Sequence, residues 1–306
     1  MPKAYVYTRP GGPEVEALVD REVPEPGPGQ LLIAVRAAGV NPVDWKLRSG
    51  YRRPGQPPAT YPEVLGSEAA GVVEKVGPDV EGFAVGDEVF GTAVAGGYAE
   101  YTLLPQAIAA HKPKGLTFAE AAVLPVAAAT AYDGVQQLAL PAGSTLLIIG
   151  AGGGVGAPAT QLARHLGVRV IGTASEAKKE FVESLGAVHV PRGPGLTERV
   201  RAAAPDGIDA IYDLVGGDDL VELARLLDDR SKLITAAAKQ TVAELGGAPV
   251  ARARTGAVLD EVARLAAADV LRPHITGRYP LERAGEALRS VEEGHTRGKV
   301  VLEVSA

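Results

Sequence analysis

The chain has 306 residues, of which 46% are hydrophobic and 22% charged, so it can bury a large core and exceeds the length of one typical domain. Its formal net charge of −6 argues against nucleic acid as a partner, because phosphate binding requires a basic face. The absence of cysteine from the sequence excludes disulfides, thiolate zinc ligands and cysteine nucleophiles.

No segment of the sequence has the pattern of a membrane anchor. The first twelve residues lack the apolar core of a signal peptide. The longest apolar run, around 119–131, is broken by Pro125 and is too short to span a bilayer. The sequence therefore predicts a cytoplasmic protein that does not associate with membranes.

The first third of the chain has the pattern of short β-strands. Apolar and branched residues fill several short segments that are separated by glycine and proline, which are the residues of turns. This punctuation predicts a small β-rich domain. The predicted strands are 31–40, 69–77, 85–93 and 98–105.

Near residue 120 the pattern changes to alternating strands and helices. Continuous apolar strands that alternate with helices indicate a parallel sheet covered on both faces. The predicted strands are 144–150, 168–175, 187–190, 207–217 and 232–238, and the predicted helices are 158–167, 177–186, 196–205, 222–227 and 256–270. The tail, 274–304, predicts a strand, a helix and a last strand, KVVLEV, that completes the sheet of the first domain.

A glycine cluster between the strand at 144–150 and the next helix is the most informative motif. It consists of Gly150, Gly152, Gly153, Gly154, Val155 and Gly156. Glycine allows a sharp turn, close approach of the backbone to a pyrophosphate and tight packing of the helix on the strand. The helix N-terminus then offers free N–H groups to phosphate. The strict G-x-G-x-x-G spacing is absent, and a flexible loop is the alternative; the strand–turn–helix context favours dinucleotide binding.

The end of the following strand bears on which dinucleotide binds. An acidic residue at this position is typical of NAD enzymes, whereas the strand here ends in Thr173 and Ser175, with Lys178 one helical turn away. Hydroxyl and ammonium groups suit a 2′-phosphate, so the sequence predicts NADPH. Glu176 could instead bind the ribose hydroxyl, and the lysine could belong to a solvated turn.

With these features in place, the chain resembles the quinone oxidoreductase (zeta-crystallin-like) branch of the medium-chain dehydrogenases/reductases. The resemblance implies an α/β fold with a Rossmann doubly wound parallel sheet at 123–269. It also implies a GroES-like β-rich catalytic domain at 1–122, completed by 270–306, with the active site in the cleft between the two domains. The marks, nearly end to end, are AAGVNPVDWKLRSG (37–50), LGSEAAGVVEKVGPDVEGFAVGDEVFG (65–91), GGYAEYTLLP (96–105), LPVAAATAYDGV (124–135), GAGGGVG (150–156), SLGA (184–187), YDLVGG (212–217) and HTRGKVVLEV (295–304).

The resemblance also predicts that the enzyme uses no zinc. In the zinc alcohol dehydrogenases of the same superfamily, the ligand cysteine and histidine correspond to Asn41 and Ser67 here. A catalytic zinc needs three protein ligands, and five scattered histidines without a thiolate do not supply them.

Without a metal, the acceptor must be electrophilic already, as a quinone or an α,β-unsaturated carbonyl compound is. The resemblance places Asn41 and Thr130 near the nicotinamide, Val215 and Gly216 at its ribose, and Lys299 at the cofactor. Asn41 is also a predicted catalytic residue. Each of these residues has an alternative role. Asn41 could cap a turn, Thr130 could bond its own backbone at the start of a helix, Gly216 could serve only a turn, and Lys299 could be only a charge on an edge strand. Tyr51 is the predicted proton donor, and bulk water is the alternative.

Two alternative functions and the oligomeric state remain undecided from the sequence. An enoyl-thioester reductase would use the same hydride chemistry, with Arg48, Arg52 and Arg53 near the substrate. A protein that binds NADPH without turnover would need only the glycine turn. Relatives commonly form homodimers through the edge of the Rossmann sheet, here around 249–255, although Arg252 and Arg254 could equally protect the edge in a monomer.

Overall fold

The computed structural model describes residues 1–52, 58–294 and 296–305. These residues form two compact units. Unit 1 contains residues 1–126, 254–267 and 275–306, and unit 2 contains residues 127–253 and 268–274. Unit 1 includes the segment 254–267, which lies within the range predicted for the central domain, and the predicted domain boundaries stay a prediction.

The described residues in the first part of unit 1 form eight strands and two short α-helices. The strands are β1 (Lys3–Tyr7), β2 (Glu16–Asp20), β3 (Gln30–Val40), β4 (Glu63–Val64), β5 (Glu68–Val76), β6 (Glu88–Thr92), β7 (Tyr101–Pro105) and β8 (Ala109–His111). The helices are α1 (Pro42–Arg48) and α2 (Phe118–Ala122). A single π-helical turn, Leu124–Ala128, follows α2. The predicted strands at 31–40, 69–77, 85–93 and 98–105 correspond to β3, β5, β6 and β7.

Unit 2 contains a six-stranded parallel sheet and six helices. Its strands are β9 (Thr145–Ile149), β10 (Arg169–Ala174), β11 (Val188–Pro191), β12 (Ala210–Asp213), β13 (Leu233–Thr235) and β14 (Ala248–Pro249). Its helices are α3 (Ala129–Leu138), α4 (Gly156–His165), α5 (Lys179–Ser184), α6 (Leu196–Ala203), α7 (Gly217–Ala224) and α8 (Lys239–Glu244).

The strand order of this parallel sheet is β11-β10-β9-β12-β13-β14, with all neighbours parallel. All five residues of β9 are buried, as a central strand covered on both faces requires. This order reverses direction at β9, which is the point where doubly wound sheets bind nucleotides. The predicted Rossmann sheet is therefore confirmed.

The chain then returns to unit 1 through α9 (Gly256–Ala267), β15 (Ile275–Pro280), α10 (Ala284–Glu292) and β16 (Lys299–Glu303). Helix α10 buries Ala284, Ala287, Leu288 and Val291, a spacing that places all four on one face. Strand β16 pairs antiparallel with β3, so the last strand completes the sheet of the first domain, as predicted.

The main sheet of unit 1 runs β15-β16-β3-β5-β6-β8, with β7 also paired to β3. A smaller sheet, β2-β1-β4, was not predicted from the sequence. In the described part of the chain, no helix combines the length and the apolar character needed to cross a membrane.

Candidate functional site

The glycine turn of unit 2 leads from β9 directly into α4. Gly150 has a φ of +94°, a conformation that L side chains rarely adopt. Its backbone N–H and that of Ala151 both donate to the carbonyl oxygen of Thr173 on β10, at 3.1 and 3.0 Å. The turn is therefore anchored to the neighbouring strand before the helix begins.

Gly156 is required by the space around it, whereas Gly150 is required by its positive φ. A Cβ on Gly156 would lie 2.3 Å from the Gly150 carbonyl oxygen, which is backbone and cannot move aside. A Cβ on Gly150 would lie 2.7 Å from Cγ2 of Val215. The first contact shows that α4 packs against the turn as closely as a backbone allows.

The turn leaves donors available for an anion. Within the residues that the structure describes, the backbone N–H groups of Gly154, Val155 and Gly156 donate no hydrogen bond, whereas that of Gly153 bonds to the Gly150 carbonyl at 3.2 Å. Helix α4, with ten residues, begins here and adds a partial positive charge. Free N–H groups at such a helix start bind phosphate.

The ends of β10 and β11 lie side by side at the same edge of the sheet. Ala174 and Pro191 pair in register, so the next residues, Ser175 and Arg192, are neighbours. Ser175 is exposed, and the Lys178 side chain lies against the turn, 2.8 Å from where a Cβ on Gly152 would be. Polar groups suited to a phosphate therefore gather at this edge.

Sequence reasoning missed Arg192. Its Nε donates to Asp219 at 2.6 Å, while its terminal nitrogens donate to no other described residue. The guanidinium group of Arg199 donates to the carbonyls of Pro191, Gly193 and Pro194, and so fixes the loop that carries Arg192. Only the pairing of β11 with β10, a tertiary feature, would have identified Arg192.

Thr173, a predicted cofactor contact, lies in β10. Its side chain is fully buried, and its hydroxyl accepts a hydrogen bond from the Gly150 N–H at 3.3 Å. The Thr173 side chain therefore supports the glycine turn, and its predicted contact with the cofactor stays a prediction.

The loop after β12 is fixed by a buried carboxylate that sequence reasoning also missed. Asp213 accepts hydrogen bonds from the backbone N–H groups of Val215 and Gly216, at 3.1 and 2.8 Å, and from the Thr235 hydroxyl. The Thr235 hydroxyl in turn accepts from Ala237 and Ala238. One carboxylate thus shapes the loops that follow two adjacent strands, and Val215 is left partly exposed beside Gly150.

Thr130 lies in the first turn of α3 and is buried. Its backbone carbonyl accepts a hydrogen bond from the Tyr212 hydroxyl of β12 at 2.8 Å. The contact ties α3 to the central sheet of unit 2, and the predicted role of Thr130 at the nicotinamide stays a prediction.

Unit 1 contains a buried group of three polar side chains, Asn41, Glu68 and Lys299, which we call the Asn41 network. Lys299 Nζ donates to the Val40 carbonyl at 3.1 Å, to Asn41 Oδ1 at 2.6 Å and to Glu68 Oε1 at 2.9 Å. Asn41 Nδ2 donates to Glu68 Oε1 at 2.8 Å. The three N–H groups of the ammonium are therefore all engaged, and the predicted contact of Lys299 with the cofactor stays a prediction.

A second buried carboxylate adjoins this network. Asp44 accepts hydrogen bonds from the Asn41 backbone N–H at 2.8 Å, the Ser67 hydroxyl at 2.6 Å and the Tyr98 hydroxyl at 2.9 Å. Burial raises the pKa of the Asp44 carboxyl to about 6, although the three hydrogen bonds oppose this shift. Burial also raises the pKa of Tyr98 well above its ordinary value.

The predicted proton donor and the predicted cationic loop lie elsewhere in unit 1. Tyr51 is 47% exposed. Arg48 is buried and pairs with Glu16 at 2.6 Å and Glu292 at 2.9 Å. Arg52 pairs with Glu63 at 2.9 Å. Arg53 lies outside the described residues.

Two family descriptions match the chain. Residues 27–114 match the alcohol dehydrogenase GroES-like domain, and residues 185–302 match the zinc-binding dehydrogenase description. Together they cover parts of both units.

The residues at the positions that correspond to the zinc ligands do not suit zinc. The Asn41 amide oxygen accepts from an ammonium group, and the Ser67 hydroxyl donates to Asp44. The ammonium of Lys299, 2.9 Å from the Glu68 carboxylate, would repel a dication there. Among the described residues, no group of three or more His, Cys, Asp or Glu side chains is arranged to hold a metal.

Individual relatives match over nearly the whole chain. An NADPH-dependent alkenal/one oxidoreductase from Arabidopsis thaliana is 34% identical over 98% of this chain and 79% of its own length. The solved structure of the quinone oxidoreductase from Coxiella burnetii superposes with a TM-score of 0.89 at 31% identity, covering 99% of each chain.

A third relative contains the match as a small part. A polyketide synthase component from Streptomyces venezuelae is 36% identical over 91% of this chain but only 8% of its own length. The first two relatives match nearly the whole of this chain at more than 30% identity. The chain therefore belongs to the quinone oxidoreductase family of the medium-chain dehydrogenases/reductases.

Proposed function

We propose that this protein is an NADPH-dependent oxidoreductase that reduces a quinone or an α,β-unsaturated carbonyl compound. The observation that carries the proposal is the glycine turn, whose three unbonded N–H groups lie at the start of α4. The names of the relatives support the cofactor and the class of acceptor.

The residues of unit 2 fit a dinucleotide phosphate. The N–H groups of Gly154, Val155 and Gly156 would hold the pyrophosphate. Ser175, Lys178 and Arg192 form a hydroxyl and two cationic groups at one sheet edge, where a 2′-phosphate would gain charge-assisted hydrogen bonds. Val215 and Gly216, in the loop that Asp213 shapes, would border the nicotinamide ribose.

When bound, NADPH supplies the hydride that reduces the acceptor. We propose that the Asn41 side chain donates a hydrogen bond to the carbonyl oxygen of the acceptor, where negative charge develops. Such a donor lowers the barrier when its orientation is fixed before the reaction. The proton that completes the reduction comes from Tyr51 or from water, and both remain predictions.

A two-stage measurement tests the proposed function. Fluorescence titration of the purified protein with NADPH and with NADH should give a Kd at least about tenfold lower for NADPH, as charge-assisted contacts to one phosphate imply. NADPH oxidation is then followed with 1,4-benzoquinone and with a simple enone. A protein without affinity for either reduced nucleotide would contradict the proposal, and a preference for NADH would contradict the assigned 2′-phosphate site.

The match to the polyketide synthase favours a second candidate, reduction of an enoyl thioester. The arginines proposed for a pantetheine-bearing substrate weaken this candidate, because Arg48 is buried in ion pairs and Arg52 is paired with Glu63. Steady-state rates with crotonyl-CoA and with 1,4-benzoquinone separate the two. A higher kcat/KM for crotonyl-CoA would favour the thioester.

Three further predictions stand beside the proposed function. The cytoplasmic location and the homodimer are expectations from the sequence. Strand β14, at the edge of the unit 2 sheet, contains the start of the predicted dimer segment 249–255. A binding protein that has lost turnover is distinguished by the acceptor panel above, since it would bind NADPH and reduce nothing.

A further inference from the structure

We infer that Lys299 and Glu68 are positioning residues that hold the Asn41 amide in one orientation. The inference rests on the proposed function, because it assigns Asn41 as the donor to the acceptor carbonyl. The residues that fix this donor all belong to unit 1.

Sheet register brings the three side chains together. Strand β3 ends at Val40, immediately before Asn41. On one side of β3, Val300 of β16 pairs with Val40, so Lys299 lies beside Asn41. On the other side, Glu68 of β5 pairs with Gly39. The two charges therefore flank the end of the central strand.

Gly39 makes room for the carboxylate. A Cβ at this position would lie 2.1 Å from Glu68 Oε1 and 2.7 Å from the Ala122 carbonyl oxygen. The second oxygen of Glu68 accepts the backbone N–H of Val126 at 2.7 Å, in the π-helical turn. Glu68 is thus held at both oxygens, independently of Asn41.

The chemistry of the two partners fixes which way the amide faces. An ammonium group only donates hydrogen bonds, so Lys299 must face Asn41 Oδ1, at 2.6 Å. A carboxylate only accepts, so Glu68 must face Nδ2, at 2.8 Å. Rotation of the amide by 180° would place donor against donor and acceptor against acceptor, which costs two buried hydrogen bonds to charged groups. One Nδ2–H remains for a ligand.

Burial makes this arrangement rigid. Asn41, Glu68 and Lys299 are exposed by only 3%, 0% and 6%. A buried ion pair is poor evidence of stabilisation, since desolvation offsets its attraction. A well-packed apolar pair would serve stability equally, so the pair is explained better by the orientation it imposes on Asn41.

The test is a double-mutant cycle on kcat. The double variant Lys299→Met/Glu68→Gln removes both charges, so neither is left unpaired in the core. We expect kcat with an enone to fall about tenfold or more, because displacement of a positioned group by about 1 Å costs up to roughly 100-fold. The Kd for NADPH should stay within about twofold, since the glycine turn is unchanged.

The decisive comparison is the same double change in an Asn41→Ala background. If Lys299 and Glu68 act through Asn41, the change should lower kcat no further there. An equal loss in both backgrounds, or no loss in the wild-type background, would overturn the inference. Absence of any turnover by the wild-type protein would instead contradict the proposed function.

Lys112 offers a matched control in unit 1. Its side chain is 5% exposed, its Nζ pairs with Glu88 at 2.9 Å, and it also donates to the carbonyls of Pro113 and Leu116. Lys112→Met removes an equally buried ammonium that does not touch Asn41. It should lower the free energy of unfolding and leave kcat unchanged; a loss of kcat as large as that of the double variant would overturn the inference.

A measurement on the wild-type protein does not depend on any variant folding. The Nδ2 protons of Asn41 are assigned in a ¹⁵N spectrum by their disappearance in Asn41→Asp. We expect them to exchange with solvent at least about 100-fold more slowly than those of an exposed asparagine, because protected groups exchange only on local opening. Exchange at the exposed rate would show that the amide is not held, and would overturn the inference.

Discussion

The glycine turn of unit 2 and the Asn41 network of unit 1 are built in opposite ways. The turn comes from seven consecutive residues, 150–156, and three of its N–H groups, those of Gly154, Val155 and Gly156 at the start of α4, are unbonded among the described residues. The network joins residues as far as 258 positions apart and satisfies its charges internally. The hydrogen-bond donors of the turn gain their partners only when a ligand binds, whereas the charged groups of the network already have partners within the protein. A pattern in the sequence can reveal the first kind and not the second.

Of the substitutions that test this contrast, we expect Gly156→Ala to have the largest effect. The new Cβ would lie 2.3 Å from the Gly150 carbonyl oxygen and 2.7 Å from the Ala151 Cα, so helix α4 must move away from the turn. We expect the Kd for NADPH to rise by about 100-fold or more and the free energy of unfolding to fall by roughly 2 kcal/mol. Nucleotide titration and urea unfolding measure these effects.

Gly115 provides the control for this change, because a Cβ there would meet nothing within 4 Å. Gly115→Ala should bind NADPH as the wild type does. Unchanged affinity in Gly156→Ala would contradict the role of the turn.

The second prediction concerns the buried acid beside the network. The pKa of Asp44 is raised from 3.8 to about 6 in the folded protein. A raised pKa means that folding is favoured below the unfolded value and loses stability as pH rises through the folded value. A shift of about two units corresponds to roughly 3 kcal/mol lost between pH 4 and pH 7.

Asp44→Asn removes this titration and keeps acceptors for the Asn41 N–H and the Tyr98 hydroxyl. The free energy of unfolding of the variant, relative to wild type, should therefore increase by roughly 3 kcal/mol from pH 4 to pH 7. Urea unfolding at both pH values measures it. Asp260→Asn, at an exposed position, controls for the lost charge. A difference that does not change with pH would show that Asp44 ionises normally.

The third prediction concerns Arg192, which was identified from the pairing of β11 with β10. Arg192→Ala should raise the Kd for NADPH by about tenfold, the effect of one lost charge-assisted hydrogen bond, and should leave the Kd for NADH unchanged. Arg201→Ala, an exposed arginine on α6, is the matched control. An equal loss for both nucleotides would mean that Arg192 supports the loop and does not contact the 2′-phosphate.

The smallest expected effect is that of Tyr51→Phe. The ring of Tyr51 is 47% exposed, so water can deliver a proton wherever the phenol can. We expect kcat to fall less than about threefold, compared with the 100-fold or more that loss of a positioned general acid typically causes. A loss of that larger size would assign proton transfer to Tyr51.

The sequence predicted the fold well where its patterns are local. Strands such as β3 and β9 are apolar runs bounded by turn residues, and the glycine turn lies where a strand meets a helix. The unpredicted strands β1 and β2 form a small sheet of mixed burial, which has no clear apolar alternation. The small sheet therefore went unrecognised.

The site was predicted less completely, and for a physical reason. Arg192 lies in no motif, and the role of Asp213, although it lies within YDLVGG, follows from its contacts with the loops after β12 and β13. Thr173 and Lys299 were predicted as cofactor contacts, and the sequence did not indicate the hydrogen bonds that both side chains make within the protein. Their burial, at 0% and 6% exposure, depends on packing that a single sequence does not display.

The place of Lys299 on the last strand of unit 1 has a consequence for biosynthesis. Glu68 lies in a fully buried position and needs that ammonium as its counter-ion. The ribosome synthesises β5 long before β16. The Glu68 carboxylate therefore stays solvated until Lys299 has been synthesised. A polypeptide interrupted before Lys299 would have an uncompensated charge in its interior, a strongly destabilising defect that quality-control proteases can exploit.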